Sequence, residues 1–385
     1  MTTTPSDRAP LALTLPLAGL TAIGLLATDL YLPAVPTLPR ELGGDITLAQ
    51  ATLASFMLTL ALSQLLWGGY ANRHGERAAL LRGALLLCAG SLLCALAPDM
   101  ALLIAGRALQ GLGAGAATVA VPALLRKRCS ETQAVDAMSL VGIAESLVPA
   151  LGPLAGAAVI HVAGWRATFW IVLALTIVVL PVVVKTIPRE EQRAVVEAGG
   201  YRGLLRNRAF LRYALSHGLM FGGLLMFVAS APNLMSASFG LPIASFIVLQ
   251  LCGVGAFIAF AANAARIVRR AGARAAIVIG VALQLAGCVL LVVIGWWGLA
   301  SIPAAIAGWA LFCAGLGVRG PVVMTRALTA AGGDAAKGSG LLMFMAFSIA
   351  ALATLLVAPS LAGGMLPLGG ALLAMTALSA LLLVA

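Results

Sequence analysis

Four ionisable side chains stand in stretches that are otherwise apolar. Asp29 lies in LLATDLYLPAVP, Arg107 in RALQGLGAG, Glu145 in AMSLVGIAESLVPALGPLAG and Arg319 in GLGVR. The residues before Asp29, LALTLPLAGLTAIGLLAT, carry no charge. A charge in apolar surroundings is costly unless it is paired, neutralised by a proton or used. Carboxylates that bind and release a proton, with an arginine to tune them, are the chemistry these residue types can do. Glu145 precedes Pro149 by four residues and Gly152 by seven, so all three share one face of a helix. Asp29 and Glu145 are the two carboxylates among these four residues, and so the candidate proton carriers. The alternative for Asp29 is a helix-end carboxylate drawn to the surface by Pro33, Pro36 and Pro39. For Glu145 it is a structural acid paired with Arg107. For Arg319 it is an arginine that snorkels to the interface near Arg326.

Other chemistries find no support. There is no GxxxxGK[ST] phosphate loop, so ATP is not expected to drive anything here. The six cysteines, Cys88, Cys94, Cys129, Cys252, Cys288 and Cys313, are scattered without metal-ligand spacing. They read as reduced, small core residues. No nucleophile and base stand at a usable spacing. No enzyme, metal or bound cofactor is expected, and the energy source left is an ion gradient or the substrate's own gradient.

The elements that hold these residues follow from composition. The chain of 385 residues is 62% hydrophobic and 10% charged, with mean hydropathy +1.06. A soluble domain is roughly a quarter charged. Apolar runs of about 20 residues, each enough to cross a bilayer as a helix, recur throughout. Turn signals and charge clusters predict twelve: 11–38, 46–71, 78–97, 100–125, 134–161, 165–185, 209–235, 243–265, 275–295, 299–325, 336–361 and 365–385. Leu11 onward is too long for a signal-peptide core and has no clear cleavage site. The longest polar interruption, Lys185 to Arg212, divides the helices into six plus six.

Net charge +11 does not mark a nucleic-acid surface. With the N-terminus inside, twenty of the 24 Lys and Arg fall in inner segments and only Arg40 and Arg166 in outer loops. Arg107 and Arg319 lie within spans. That bias predicts both termini in the cytoplasm.

The chain also repeats itself. RHGERAA at 73–79 and RAGARAA at 270–276 both read R-x-G-x-R-A-A, with Gly83 and Gly280 following at equal distance. A weaker echo sets GLGAG at 111–115 against GLGVR at 315–319. Two duplicated halves are expected.

With these motifs the chain resembles the major facilitator superfamily, in its 12-span drug:proton antiporter branch. GGYANRHGER, Gly68 to Arg77, is similar to the loop G-x-x-x-D-R-x-G-R-R/K of that family; Arg73, Gly75 and Arg77 match. Asn72 replaces the usual aspartate and Glu76 the usual base, so the latch that this loop forms in the family is expected to be weaker or rebuilt. RALQGLGAG resembles R-x-x-Q-G-x-G, whose arginine is tied to proton coupling. VPALGPLAG, with Pro149, Gly152, Pro153 and Gly156, resembles the antiporter motif, which implies export. TDLYLPAVP is similar to the first-helix signature of the Bcr/CflA subfamily. GAAVIHVAGW, SAPNLM and DAAKGSGLLMFM resemble multidrug and chloramphenicol exporters of that group.

The resemblance implies an all-α membrane protein of the major facilitator fold, with 12 transmembrane helices in two pseudo-symmetric six-helix bundles. The expected division is 1–185, a central cytoplasmic loop 186–208, and 209–385. It implies proton-coupled export of small amphipathic drugs, phenicol-like, bicyclomycin-like or several kinds, across the bacterial inner membrane. Multidrug members usually carry a second carboxylate about two turns before the helix-one aspartate. Thr21 stands there and cannot ionise, so the resemblance implies that Glu145 supplies it and that Asp29, Glu145 and Arg107 couple protons. Tyr31, Gln110, Asn233, Met226, Phe227 and Arg319 would line the substrate cavity. Partners would be small-molecule substrates, protons and lipid, with no nucleic acid, and the protein would be a monomer. The alternatives are an exporter of sugars, nucleosides or amino acids, and a transporter-like sensor or inactive paralogue suggested by Asn72 and Glu76.

Overall fold

A computed structural model describes residues 11–187, 201–238, 240–298, 301–332 and 335–384. Among the described residues there are helices and no strands. In chain order they are α1 (Leu11–Asp29), α2 (Leu38–Leu42), α3 (Ile46–His74), α4 (Glu76–Ala95), α5 (Met100–Arg128), α6 (Glu131–Ala163), α7 (Arg166–Thr186), α8 (Arg202–Arg206), α9 (Arg208–Asn233), α10 (Ile243–Trp296), α11 (Ile302–Ala330), α12 (Ala335–Val357) and α13 (Met365–Val384). Most of the expected central loop, residues 188–200, lies outside the described residues.

Eleven helical segments among the described residues are long and apolar enough to cross a bilayer. The longest, α10, has 54 residues and runs roughly 80 Å at 1.5 Å per residue. That is more than twice a hydrocarbon core of about 30 Å. It breaks at Gly272, where φ is 85° and ψ 160°. Residues 243–271 and 273–296 are thus separate crossings, which makes twelve. Gly75, the matching residue of the repeat, has φ 85° and ψ 155° between α3 and α4. Only glycine reaches this backbone region without strain. The R-x-G-x-R-A-A repeat therefore encodes the same sharp reversal twice.

The chain forms two compact units. The first comprises residues 1–34 and 58–198, the second 35–57 and 199–385. The segment Val35–Met57 groups with the second unit, although sequence order alone places it in the first bundle. Gln50 of α3 donates to the Ala229 carbonyl of α9 at 3.2 Å inside that unit.

In the first unit α4 and α5 touch backbone to backbone. An added Cβ at Gly90 would lie 2.8 Å from the Gly106 carbonyl oxygen, and one at Gly113 would lie 2.6 Å from that of Gly83. In the second unit the later half of α10 meets α11 the same way, with Gly287 against Gly308 and Gly315 against Gly280. This places the repeat in a definite register. Gly113 answers to Gly315, so the match of 111–115 with 315–319 is two residues out of step. The two positions corrected by this register are informative. Arg107 corresponds to Trp309, and Arg319 corresponds to Ala117.

Candidate transport site

Asp29 is the last residue of α1. Helix one does not run on as an α-helix to Leu38. Pro33 follows Asp29 by four residues, and a proline ring clashes with the carbonyl four residues back. The chain tightens accordingly: Tyr31 N donates to the Thr28 carbonyl at 3.1 Å, and Leu32–Thr37 forms a 3-10 helix. The half-buried Asp29 thus stands where the first span stops being α-helical.

The break frees the Ala27 carbonyl, which Tyr31 N would otherwise meet. Arg107 of α5 takes its place. Its Nη1 donates to Ala27 O at 2.8 Å and to Gln110 Oε1 at 2.8 Å, and its Nη2 to Thr28 Oγ1 at 3.1 Å. The guanidinium is fully buried and lies 5.0 Å over the Tyr31 ring. Tyr31 in turn packs on Phe169 of α7, with ring centroids 5.1 Å apart. A cation at a helix C-terminus offsets the partial negative charge of the open carbonyls. The same guanidinium attracts the Asp29 carboxylate, with no hydrogen bond between them.

Gln110 is engaged inside the first unit. Its Nε2 donates to Ser91 Oγ at 2.8 Å, and it is wholly buried. It orients Arg107 and joins α5 to α4 rather than lining an open cavity. The spacing of Arg107 and Gln110 in RALQ puts both on one helix face.

VPALGPLAG brings α6 onto this break. An added Cβ at Gly152 would lie 2.7 Å from Asp29 Cβ, and one at Gly156 would lie 2.2 Å from the Leu30 carbonyl oxygen. The thinning by glycine thus serves a contact between α1 and α6 within the first unit. Gly152 thus meets the last residue of α1 and Gly156 the residue after it. Glu145, seven residues before Gly152, is about 10 Å back along α6. Glu145 is half-buried, and Arg107 is not among the groups acting on it. The Thr21 hydroxyl donates to its own helix, to Ala18 O at 2.9 Å.

The R-x-G-x-R-A-A loop shows how its departures are accommodated. Glu76 is buried at the start of α4 and pairs with Lys127 near the end of α5. Its negative charge also suits a helix N-terminus. Asn72 and Arg73 are exposed and Arg77 half-buried. Gly68 has open space where a Cβ would stand.

In the second unit Met226 and Phe227 are fully enclosed. Phe227 stacks on Trp309, with centroids 4.1 Å apart, and Trp309 stacks on Phe312 at 5.4 Å. Asn233 is 1% exposed, and neither of its side-chain polar atoms has a hydrogen-bond partner. Arg319 is fully buried and does not snorkel. Trp309 was missed in the sequence. Its signal was the repeat, which becomes legible only once the glycine contacts fix the register.

A bundle of membrane-crossing helices in two repeated units, with charged side chains held inside, defines a membrane transporter. The chain matches the Major Facilitator Superfamily over residues 17–355, and it belongs to that family. It is 29% identical over 296 residues to a chloramphenicol resistance protein of Pseudomonas aeruginosa, covering 76% of this chain and 70% of that protein. It is 28% identical over 248 residues to the uncharacterised transporter YdgK of Bacillus subtilis strain 168, covering 61% of each. It is 28% identical over 217 residues to the multidrug resistance protein MdtL of Escherichia fergusonii, covering 55% of each. The aligned region thus spans little more than half of two of these relatives. The fold is that of the human organic anion transporter MFSD10, with TM-score 0.68, 18% identity and coverage of 99% and 100%. It is also that of a D-xylose–proton symporter, with TM-score 0.71, 14% identity and coverage of 95% and 96%.

Proposed function

We propose that this transporter exports small amphipathic drugs in exchange for protons. The observation that carries the reading is the arrangement at the broken first helix. Asp29 ends α1, buried Arg107 caps the freed carbonyl beside it, and Glu145 shares the face of α6 that meets Asp29. Desolvation favours the uncharged form of a carboxylate, and a nearby cation favours the charged form. A carboxylate at a backbone break feels both, and a small movement of α1 changes their balance. Proton release and helix movement are then one event. Glu145 supplies the second carboxylate from a neighbouring helix.

The drug class is supported by the likeness to a chloramphenicol resistance protein and to MdtL. In an efflux-deficient bacterial host, the chain should raise resistance to phenicol-like or bicyclomycin-like compounds, and a proton uncoupler should abolish the effect. No change in resistance to any drug of a broad panel overturns the drug reading in favour of a metabolite exporter. Resistance that survives the uncoupler overturns proton coupling.

A further inference from the structure

The second unit encloses a cation that its own sequence does not balance. From Gly199 to Ala385 there is a single acidic residue, Asp334, outside the described residues. The unit's other acids, Glu41 and Asp45, are exposed at α2 and the start of α3. Yet Arg319, in the eighteenth place of the 29-residue α11, has no exposed surface.

Its guanidinium is only partly satisfied. Nε points at Met220 Sδ, 2.9 Å away, and a thioether is a weak acceptor. Nη2 donates to Ser379 Oγ. Nη1 has no partner. Ser379 is held in place by α9, since its Oγ donates to Ser216 O at 2.8 Å and its carbonyl accepts from Ser216 Oγ at 2.9 Å.

Further unsatisfied polar groups stand on the helices packed against α11. His217, next to Ser216, is within electrostatic range of Arg319; it is 6% exposed and neither ring nitrogen has a partner. Its ring stacks on Phe221. Gln284 of α10 is wholly buried, with both amide atoms unpartnered. It lies on α10 between Gly280, which meets Arg319 Cβ, and Cys288, which is within electrostatic range of Arg319. Buried polar groups are nearly always bonded, and a buried lone cation is costlier still. Among the described residues, Arg319, His217 and Gln284, on three helices, leave donors open, and no acid is among the groups acting on Arg319.

We propose that Arg319, with His217 and Gln284 beside it and Ser379 as its anchor, forms a site inside the second unit for one compact monovalent anion. Nη1 would bind it, and the imidazole and amide N–H groups would complete its shell. One guanidinium balances one negative charge, which favours a halide or a carboxylate group over a dianion. The anion is either free and inorganic or the anionic group of an organic compound. The site is separate from the Asp29 and Arg107 arrangement, so its fate does not decide proton-coupled export.

The test uses the full chain, purified in detergent, with thermal unfolding as readout. Sodium chloride is added stepwise to protein in a low-salt buffer of a bulky organosulfonate, with the same series run on Arg319→Gln. In a second arm, benzoate is compared with its neutral isostere benzamide in that buffer. Saturable stabilisation by chloride identifies an inorganic anion; stabilisation by benzoate alone identifies an organic carboxylate. In Arg319→Gln the half-saturating concentration should rise at least about tenfold, the loss expected for a buried charge partner. Arg326→Gln, which removes the same charge two turns along α11, should respond as wild type. Should Arg319→Gln fail to fold, His217→Phe, which keeps the ring stacking, must weaken the response. Stabilisation by neither anion, equal stabilisation by benzamide and benzoate, or an unaltered response in these site variants overturns the proposal.

Discussion

The sharpest test of the site's geometry is a single methyl group at Gly156. An alanine Cβ there would lie 2.2 Å from the Leu30 carbonyl oxygen, 2.8 Å from its carbonyl carbon and 2.9 Å from its Cα. All three are backbone atoms, so no side chain can turn aside. Ordinary contact begins near 3.4 Å, and α1 must move from α6 by about 1 Å. Overpacking of this kind costs up to about 3 kcal/mol. The better helix preference of alanine returns about 1 kcal/mol, leaving a net loss of about 2 kcal/mol. Gly142 lies on the same helix with nothing within 4 Å of a built Cβ, and it is the control. Gly142→Ala should be neutral or stabilising by up to about 1 kcal/mol. Thermal unfolding of the purified variants, with drug resistance scored in cells, measures both effects. Gly156→Ala should melt earlier and lose resistance, because the shift occurs one residue from Asp29. If it melts and transports like Gly142→Ala, the close approach of α1 and α6 is not the device that positions Asp29.

Four further outcomes are expected. Asp29→Asn and Glu145→Gln should each impair proton-coupled export in membrane vesicles; unchanged proton stoichiometry in Glu145→Gln removes Glu145 from the mechanism. Arg107→Lys should not replace arginine, since one ammonium cannot reproduce the fork that meets Ala27, Gln110 and Thr28; wild-type stability and transport would contradict the capping role. Gly75→Ala and Gly272→Ala should each cost about 1–3 kcal/mol from strain at positive φ, and unequal losses would count against equivalent turns. Glu76→Lys and Lys127→Glu should each destabilise by about 1–2 kcal/mol, and the double exchange should recover much of the loss in a thermal melt.

Sequence alone determined what local physics determines. Long apolar runs needed helices to satisfy their backbone, charge clusters marked their ends, and the R-x-G-x-R-A-A repeat announced two like turns at Gly75 and Gly272. Asp29 and Arg107 stood out because their charges had no place in such runs. The end of α1 was also legible, in the four-residue spacing from Asp29 to Pro33, but hydrophobicity across the break concealed it. What the sequence could not decide was which distant group answers which local need. The carbonyl freed at Ala27 is met by a guanidinium 80 residues away. The unexpected Glu76 meets Lys127, and the two GLG stretches pair in a register set by glycine contacts rather than by their letters. Arg319 packs on Gly280 and Gln284 on Gly315 because these glycines let α10 and α11 close. Helix formation is a property of neighbours in the chain; capping, close packing and the balance of buried charge are properties of neighbours in space.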